Sequence, residues 1–525
     1  LTDFNEKAGW AANARVATNL ADLGNVMVSG AYSSPGFGSI EKKVNERQKE
    51  EIIQFDVATN LELGKFLPEK SGIRIPVHYD YSQTVSNPQY NPLDPDVLYN
   101  EQTKDMSKTE KDSLKQLTTD VIKRQNLNFM NVRKDRVGAA KKPQLWDIEN
   151  FDLSYAYSEI IRHNNDIQLE EKKTYRGGLG YNFSINPKSV KPFNKTVRSK
   201  SLAIIRDFNF YYLPKLLSFR TDMYRDYQER LLRNKSSALI ILQPNYTKQW
   251  DWNRIYDIKY DFSQALKFDY SANVNSYILE PPGGYEKQNS NYEQYRDTVW
   301  NSIKSGGTIN RFNQLANINY AVPFNKIPIL NWINLNARYG AKYRWEASPR
   351  SLQPRFGNVI ENSRDIQLNG GLRLVTLYDK VPFLKKARTE LQNKGAVPPG
   401  KPPGRNAEQP KGKEKGKDTE DDLVDDPAKK AAADSLEKPK KNYLKIAGTY
   451  TLGILMSVRD ANLTYSRTNG TILPGFVLEP GPLGNNWSYN APGLGFIFGS
   501  QKDIRYQAAN SGWLSKDTLL NNPYI

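Results

Sequence analysis

The chain has 525 residues, a net charge of +17, two histidines and no cysteine, which excludes disulfide scaffolds, thiolate metal sites and cysteine nucleophiles. At 38% hydrophobic and 11% aromatic residues, with 31 Tyr, it is too polar for a large soluble core and too aromatic for disorder. That balance suits a transmembrane β-barrel, whose lumen face is polar and whose lipid face carries interfacial aromatics. The charge comes with no nucleic-acid motif, so no nucleic acid is expected; it reads as lumen and loop charge, or more sharply as a surface for anionic lipid or acidic cargo.

Alternating segments begin at Trp10–Leu20 and Val26–Tyr32 and continue through Phe55–Leu63, Ile73–Tyr81, Phe151–Tyr157 and Leu179–Ile185. Successive side chains of a strand point to opposite faces, so each segment predicts a strand with one apolar side. The rhythm is strongest between Ala238 and Asn275. From 252 to 274 ten of twelve even positions are apolar or aromatic, and from 253 to 275 ten of twelve odd positions are polar. Trp252, Tyr256, Ile258, Tyr260, Phe268 and Tyr270 are therefore the candidate lipid-facing residues, and Asp257, Lys259, Asp261, Lys267 and Asp269 the candidate lumen-facing ones. The stretch reads as a hairpin turning near Phe262–Ala265. Its first strand, taken as 238–262, would rise roughly 60 Å against an apolar band of ~25 Å. Later segments are Ile318–Val322, Ile333–Trp345, Ile366–Tyr378 and Leu444–Ile454, for about fourteen strands in all.

Connections alternate between short (21–25, 65–71, 262–265, 323–331) and long (33–50, 83–124, 277–308, 347–363), the loop asymmetry of an outer-membrane barrel. Between 125 and 216 the order changes to an inner stretch at 136–149, a tight outer turn at 161–165 and a long inner excursion at 186–216. Short turns repeat proline, an aromatic and lysine at Lys65–Pro68, Val322–Lys326 and Val381–Lys385, and are placed on the periplasmic side. Two loops carry helices: Ser107 and Glu110 form a capping box, and Tyr292–Ile303 has helical spacing ending at Gly306–Gly307. Residues 394–442 are low-complexity and expected to be disordered on the periplasmic side. The organisation is thus strands with long loops over 1–393, the insertion at 394–442, and further strands and loop over 443–525.

A search for chemistry returns little. Only His78 and His163 could serve a relay, and both read as ordinary polar positions; Asp257, Asp261 and Asp269 alternate with lysines on one face as a solvated mixed-charge surface. No catalytic residue, cofactor or metal is expected.

The stretches Ser34–Lys43, Val85–Asp96 and Asp207–Tyr227, with Leu213-Pro214 and Ser218–Asp222, resemble the SprA/Sov family, the outer-membrane translocon of the Bacteroidetes type IX secretion system. The resemblance implies an internal fragment of a very large all-β, antiparallel transmembrane barrel with helical loop insertions. It would conduct folded cargo proteins across the outer membrane in secretion and gliding motility, without enzymatic activity. Partners implied by the same resemblance are secreted cargo, the lipid bilayer, a smaller barrel at a lateral opening and a periplasmic plug protein. The alternative is a cell-surface β-structural protein or adhesin without transport activity.

Overall fold

The computed structural model describes residues 8–39, 41–43, 46–138, 143–199, 202–234, 242–285, 291–393, 448 and 451–516. The expected insertion at 394–442 lies outside them. Strands follow one another as β1 (Ala11–Leu20), β2 (Gly24–Ser33), β3 (Glu50–Glu62), β4 (Ile73–Arg74), β5 (Pro76–Pro88), β6 (Tyr90–Asn91), β7 (Asp94–Leu98), β8 (Asp120–Lys134) and β9 (Phe151–His163). The series continues with β10 (Ile167–Ser184), β11 (Leu216–Leu232), β12 (Asn245–Asp261), β13 (Leu266–Tyr277), β14 (Thr308–Val322), β15 (Ile333–Glu346), β16 (Asn358–Arg373) and β17 (Asp460–Phe476).

Fifteen of these form one sheet, in which each long strand pairs antiparallel with its neighbours in the chain; β6 and β7 form a separate ribbon inside a long loop. The order is an uninterrupted up-and-down meander, with β1 and β17 as its edges and no pairing between them among the described residues. Consecutive antiparallel strands need only local connections, and several turns are closed by their own side chains. Asn164 Oδ1 accepts the amides of Asp166 and Ile167 at 2.9 and 2.8 Å. Ser263 Oγ accepts those of Ala265 and Leu266 at 3.2 and 3.0 Å. Both are short polar side chains mimicking a backbone turn. In β8, Asn131 takes φ 56° at a register shift between Phe129 and Val132, a bulge that restores the apolar parity on either side.

The predicted hairpin at 262–265 is present, with Asp261 opposite Lys267 and Lys259 opposite Asp269. Its first strand is shorter than expected. Of the predicted 238–262, residues 238–241 lie outside the described set and the strand starts at Asn245, giving 17 residues. That is a rise of roughly 40 Å, still well above a ~25 Å apolar band. The capping box at Ser107 is formed, with Glu110 held below the usual carboxylate range by its hydrogen bonds from Ser107. The second loop helix spans Tyr292–Lys304.

Two expectations fail toward the end of the chain. Leu374–Lys380 and Pro382–Asn393 are helices, so the third proline-aromatic-lysine stretch joins two helices instead of ending a strand. Residues 451–455 are helical as well. Leu374 and Tyr378 are four apart, a spacing that serves a helix face as well as a strand parity. In the structure Tyr378 packs with Ala387 and Met456, beside Leu374, Leu384 and Leu452.

Candidate functional site

Sheet register carries one apolar parity across every long strand. Val16, Val28 and Val57 lie in line on β1–β3. Tyr157, Tyr175 and Arg225 form another line on the same side across β9–β11, and Tyr256, Ala272, Gln314, Tyr343 and Asn362 another across β12–β16. All six candidate lipid-facing residues belong to this parity: Tyr256 lies opposite Ala272, Ile258 opposite Tyr270, Tyr260 opposite Phe268 and Trp252 opposite Ser276. The five candidate lumen-facing residues share the other side, with opposite charges directly across the ladder at both Lys–Asp pairs. Ion pairs such as Lys172–Asp226 at 3.3 Å and Arg220–Asp222 at 2.8 Å extend the same polar face.

The apolar face is covered unevenly. Along β14 the half nearest the long loops is buried at Phe312, Gln314 and Ala316, whereas Ile318 and Tyr320, nearest the short turns, are 40% and 39% exposed. On β17, Leu473 and Phe476 are buried while Leu463 is 72% exposed. The cover is the segment after β17. Leaving the sheet at the long-loop end, residues 477–515 fold back over β13–β17 and bring Phe496, Ile497, Ala508 and Trp513 onto Phe312, Tyr343, Trp345 and Ile360.

Polar anchors fix this cover. Trp345 Nε1 donates to the Leu478 carbonyl at 3.0 Å, and Tyr339 Oη to the Phe498 carbonyl at 2.5 Å. Asn362 sits on the apolar parity, buried, and donates to the carbonyls of Phe496 and Ser500 at 2.9 and 2.8 Å while accepting from Gln501 Nε2 at 3.1 Å. Gly499, at φ +87°, comes so close to the sheet that a Cβ there would meet Tyr339 Oη, Arg364 Cβ and Ala341 Cβ at 3.1–3.3 Å. On the solvent side of the segment Arg505 bonds Asp503 through its guanidinium at 2.8 Å and its amide at 2.9 Å, pushing that carboxyl down to about 2.

Of the six candidates, Tyr270 is buried, bonding Gln314 at 3.0 Å, and Tyr256, Ile258 and Phe268 pack beside Phe498. Protein, not only the surroundings, therefore covers that part of the parity. Between it and Pro480–Leu483 lies a cavity of about 540 Å³ whose sheet wall includes Arg254, Ile258 and Val274. Further along, residues 278–285 after β13 are latched onto the same face. Arg225 pairs with Glu280 at 2.6 Å and lies over the rings of Trp250, Tyr175 and Tyr285 at 5.1–5.6 Å.

Sequence reasoning missed Asn362, the latch at Arg225–Glu280 and the whole 477–515 cover. A signal existed: Gln314, Asn362 and Arg225 are polar residues on an otherwise apolar parity, which marks places where protein, and not hydrocarbon, must meet the sheet.

His78 lies on the polar face with Nε2 at 3.0 Å from Asp80 and Nδ1 at 2.7 Å from Asn60, so both ring nitrogens are occupied and no hydroxyl is bonded to either. Among the described residues no group of three or more His, Asp or Glu side chains is placed to hold a metal.

No curated protein matches the chain. Among solved structures, the ferric citrate transporter FecA in its unliganded form matches with 10% identity over 72% of this chain and 54% of that one, at a TM-score of 0.21. The chain thus spans about half the length of that transporter. Residues 1–103, covering β1–β7, match the family of SprA amino-terminal regions, described as motility related/secretion protein. They include two of the three stretches that carry the resemblance, Ser34–Lys43 and Val85–Asp96, so this part of the chain is similar to the motility- and secretion-related proteins of that family.

Proposed function

We propose that this chain is an arc of a large outer-membrane β-barrel pore that conducts folded proteins, the translocon of type IX secretion and gliding motility. The observation that carries the reading is the bare apolar band. It runs along the short-turn side of a long-stranded meander, while the opposite face of the same strands is charged. Water does not favour such a band, and a bilayer supplies the hydrocarbon it needs. Strands rising roughly 40 Å overshoot a ~25 Å band, so the bilayer sits at the short-turn half and the long-loop half projects outward under its own protein cover. Short turns then lie in the periplasm.

Among the described residues β1 and β17 do not pair with each other, and as one part of a larger barrel wall the sheet borders a wide lumen. Asp257, Lys259, Asp261, Lys267 and Asp269 line that lumen, a mixed-charge wall to which a passing folded protein does not adhere. Secreted cargo is the primary partner, with a smaller barrel at a lateral opening and a periplasmic plug as the further ones.

The test uses the full-length protein in cells. Cysteines replacing Asp257 and Lys267, loaded with a photo-crosslinker, should capture exported proteins in transit, whereas the same probe at Ile318 should capture lipid. Resistance to carbonate extraction and heat-modifiable gel mobility should accompany this. Solubility in carbonate would sink the membrane reading; resistance without cargo adducts at the lumen positions would leave a barrel that is not a protein pore.

A further inference from the structure

The excursion between β10 and β11 combines an excess of basic residues with a surface of exposed apolar ones. From Asn186 to Lys215 it contains seven Lys or Arg and one acidic residue, Asp207. That single carboxylate is already engaged, bonded by Arg206 at 2.9 Å and approached by Lys326 at 4.0 Å. Lys188, Lys191, Lys195 and Arg198 are exposed. Among them the excursion also exposes large apolar side chains: Phe193, Ile204, Ile205, Phe208, Phe210 and Tyr212 are all at least 40% exposed, Tyr212 reaching 67%. Phe193, Phe208 and Phe210 stand together as an aromatic surface, with centroids 6.3 and 6.4 Å apart.

This surface is held in place by its own neighbours. Val190 and Phe210 form an isolated antiparallel bridge that closes the excursion on itself. Buried Asn209 accepts the Gln264 amide at 2.8 Å, and Tyr260 Oη donates to the Tyr211 carbonyl at 2.7 Å. Lys326 Nζ reaches the Asp207 carbonyl at 3.3 Å. The excursion is thereby tied to the β12–β13 and β14–β15 turns, at the level where Phe262 and Ile329 are also exposed. A soluble surface loop has no reason to expose six large apolar groups while fixing their backbone.

We propose that residues 186–199 and 202–215 form a foot seated in the headgroup layer of an anionic leaflet on the short-turn side. Its aromatic and aliphatic side chains enter the acyl boundary and its lysines and arginines rest on lipid phosphates. Apolar burial plus electrostatic attraction is the combination that holds a segment in the membrane interface. Net basic charge selects anionic lipid over a protein surface of unspecified charge. The foot fixes the depth of the barrel wall, because the turns to which it is bonded move with it.

The inference rests on the membrane reading above, and the experiment separates the two. Because the chain carries no cysteine, single-cysteine variants F208C and, as a control on the bare sheet face, I318C can each carry a bimane label in full-length protein otherwise free of cysteine. The protein is reconstituted in phosphatidylcholine brominated at shallow or deep acyl positions, with or without phosphatidylglycerol. Both labels should be quenched, Phe208 more by the shallow bromines and Ile318 more by the deep ones. Adding phosphatidylglycerol should raise quenching at position 208 about twofold, and a K191Q/K195Q/R198Q background should abolish that rise. Quenching at 318 without quenching at 208 overturns the foot while leaving the membrane reading intact. Quenching at neither position overturns both. Quenching at 208 that ignores phosphatidylglycerol overturns the headgroup contact.

Discussion

Two regions share one parity and differ in what meets it. On β14–β17 near the long loops, the apolar face is sealed by residues 477–515, with Trp345 and Ile360 completely buried. Nearer the short turns, Ile318, Leu368 and Leu463 on the same face have no protein over them among the described residues. Alternation alone records that one face avoids water; it does not record what replaces the water. The polar residues interrupting the parity do. Gln314 and Asn362 occur where the chain folds back on the sheet, and the bare half of β14 shows only Ile318 and Tyr320 at the same spacing.

The largest effect should come from the sealed half. Trp345 fills the interface between sheet and cover and donates to Leu478. Trp345→Ala should cost about 3–5 kcal/mol and release the cover. Hydrogen exchange should then show the amides of 477–515 losing protection while those of β1–β5 keep theirs. Unchanged protection would mean that the cover does not depend on this contact.

Next comes the bare half. Ile318→Lys should cost about 2–4 kcal/mol if this position faces the middle of a bilayer, and far less if it faces water. Its neighbour Asn317 points to the polar face, so Asn317→Lys is the matched control. Folded yield after insertion into vesicles reads the difference, and equal yields would remove the distinction between the faces.

A smaller effect is expected at Asn362. Replacing it with alanine leaves the carbonyls of Phe496 and Ser500 and the Thr471 amide without their partner. That should cost about 1–3 kcal/mol. The same exchange-protection measurement should show 494–501 loosening before the rest of the cover. If Asn362→Leu instead tightens the cover, the polar anchor is there for register and not for strength.

Much of this sheet was legible in advance. The hairpin at 262–265, the shared parity of Tyr256 through Tyr270, the tight turn after His163, the capping box at Ser107 and the helix before Gly306 follow from local rules that tertiary packing did not override. The cover was not legible because its residues have no period. Pro480, Gly481, Pro482, Gly493 and Gly499 leave only short helices such as Leu494–Ile497 and Arg505–Asn510, and apolar groups between them find partners far away in the chain, as the Phe496 ring does at Tyr343. The helix at Leu374–Lys380 was misread for a different reason: an apolar pair four residues apart is common to both periodicities, and only its packing on Ala387 and Met456 decides.

The finest test of the comparison is acid, because the cover carries a titrating carboxylate contact and the bare half of β14, from Asn317 to Val322, carries no carboxylate. Asp503 is exposed, and its hydrogen bonds from Arg505 lower its carboxyl to about 2 from an unfolded value near 3.9. A lowered folded value means that the contact contributes fully above about pH 4 and is lost as pH falls from there through about 2. Pepsin, active over that range, should cut the cover near Phe496 and Phe498 increasingly between pH 4 and pH 2. In Asp503→Asn the cutting should be present already at pH 4 and change little below it. Cutting at the bare strands that rises in parallel would instead mean that the whole sheet is yielding, and the cover would no longer be a separately held layer.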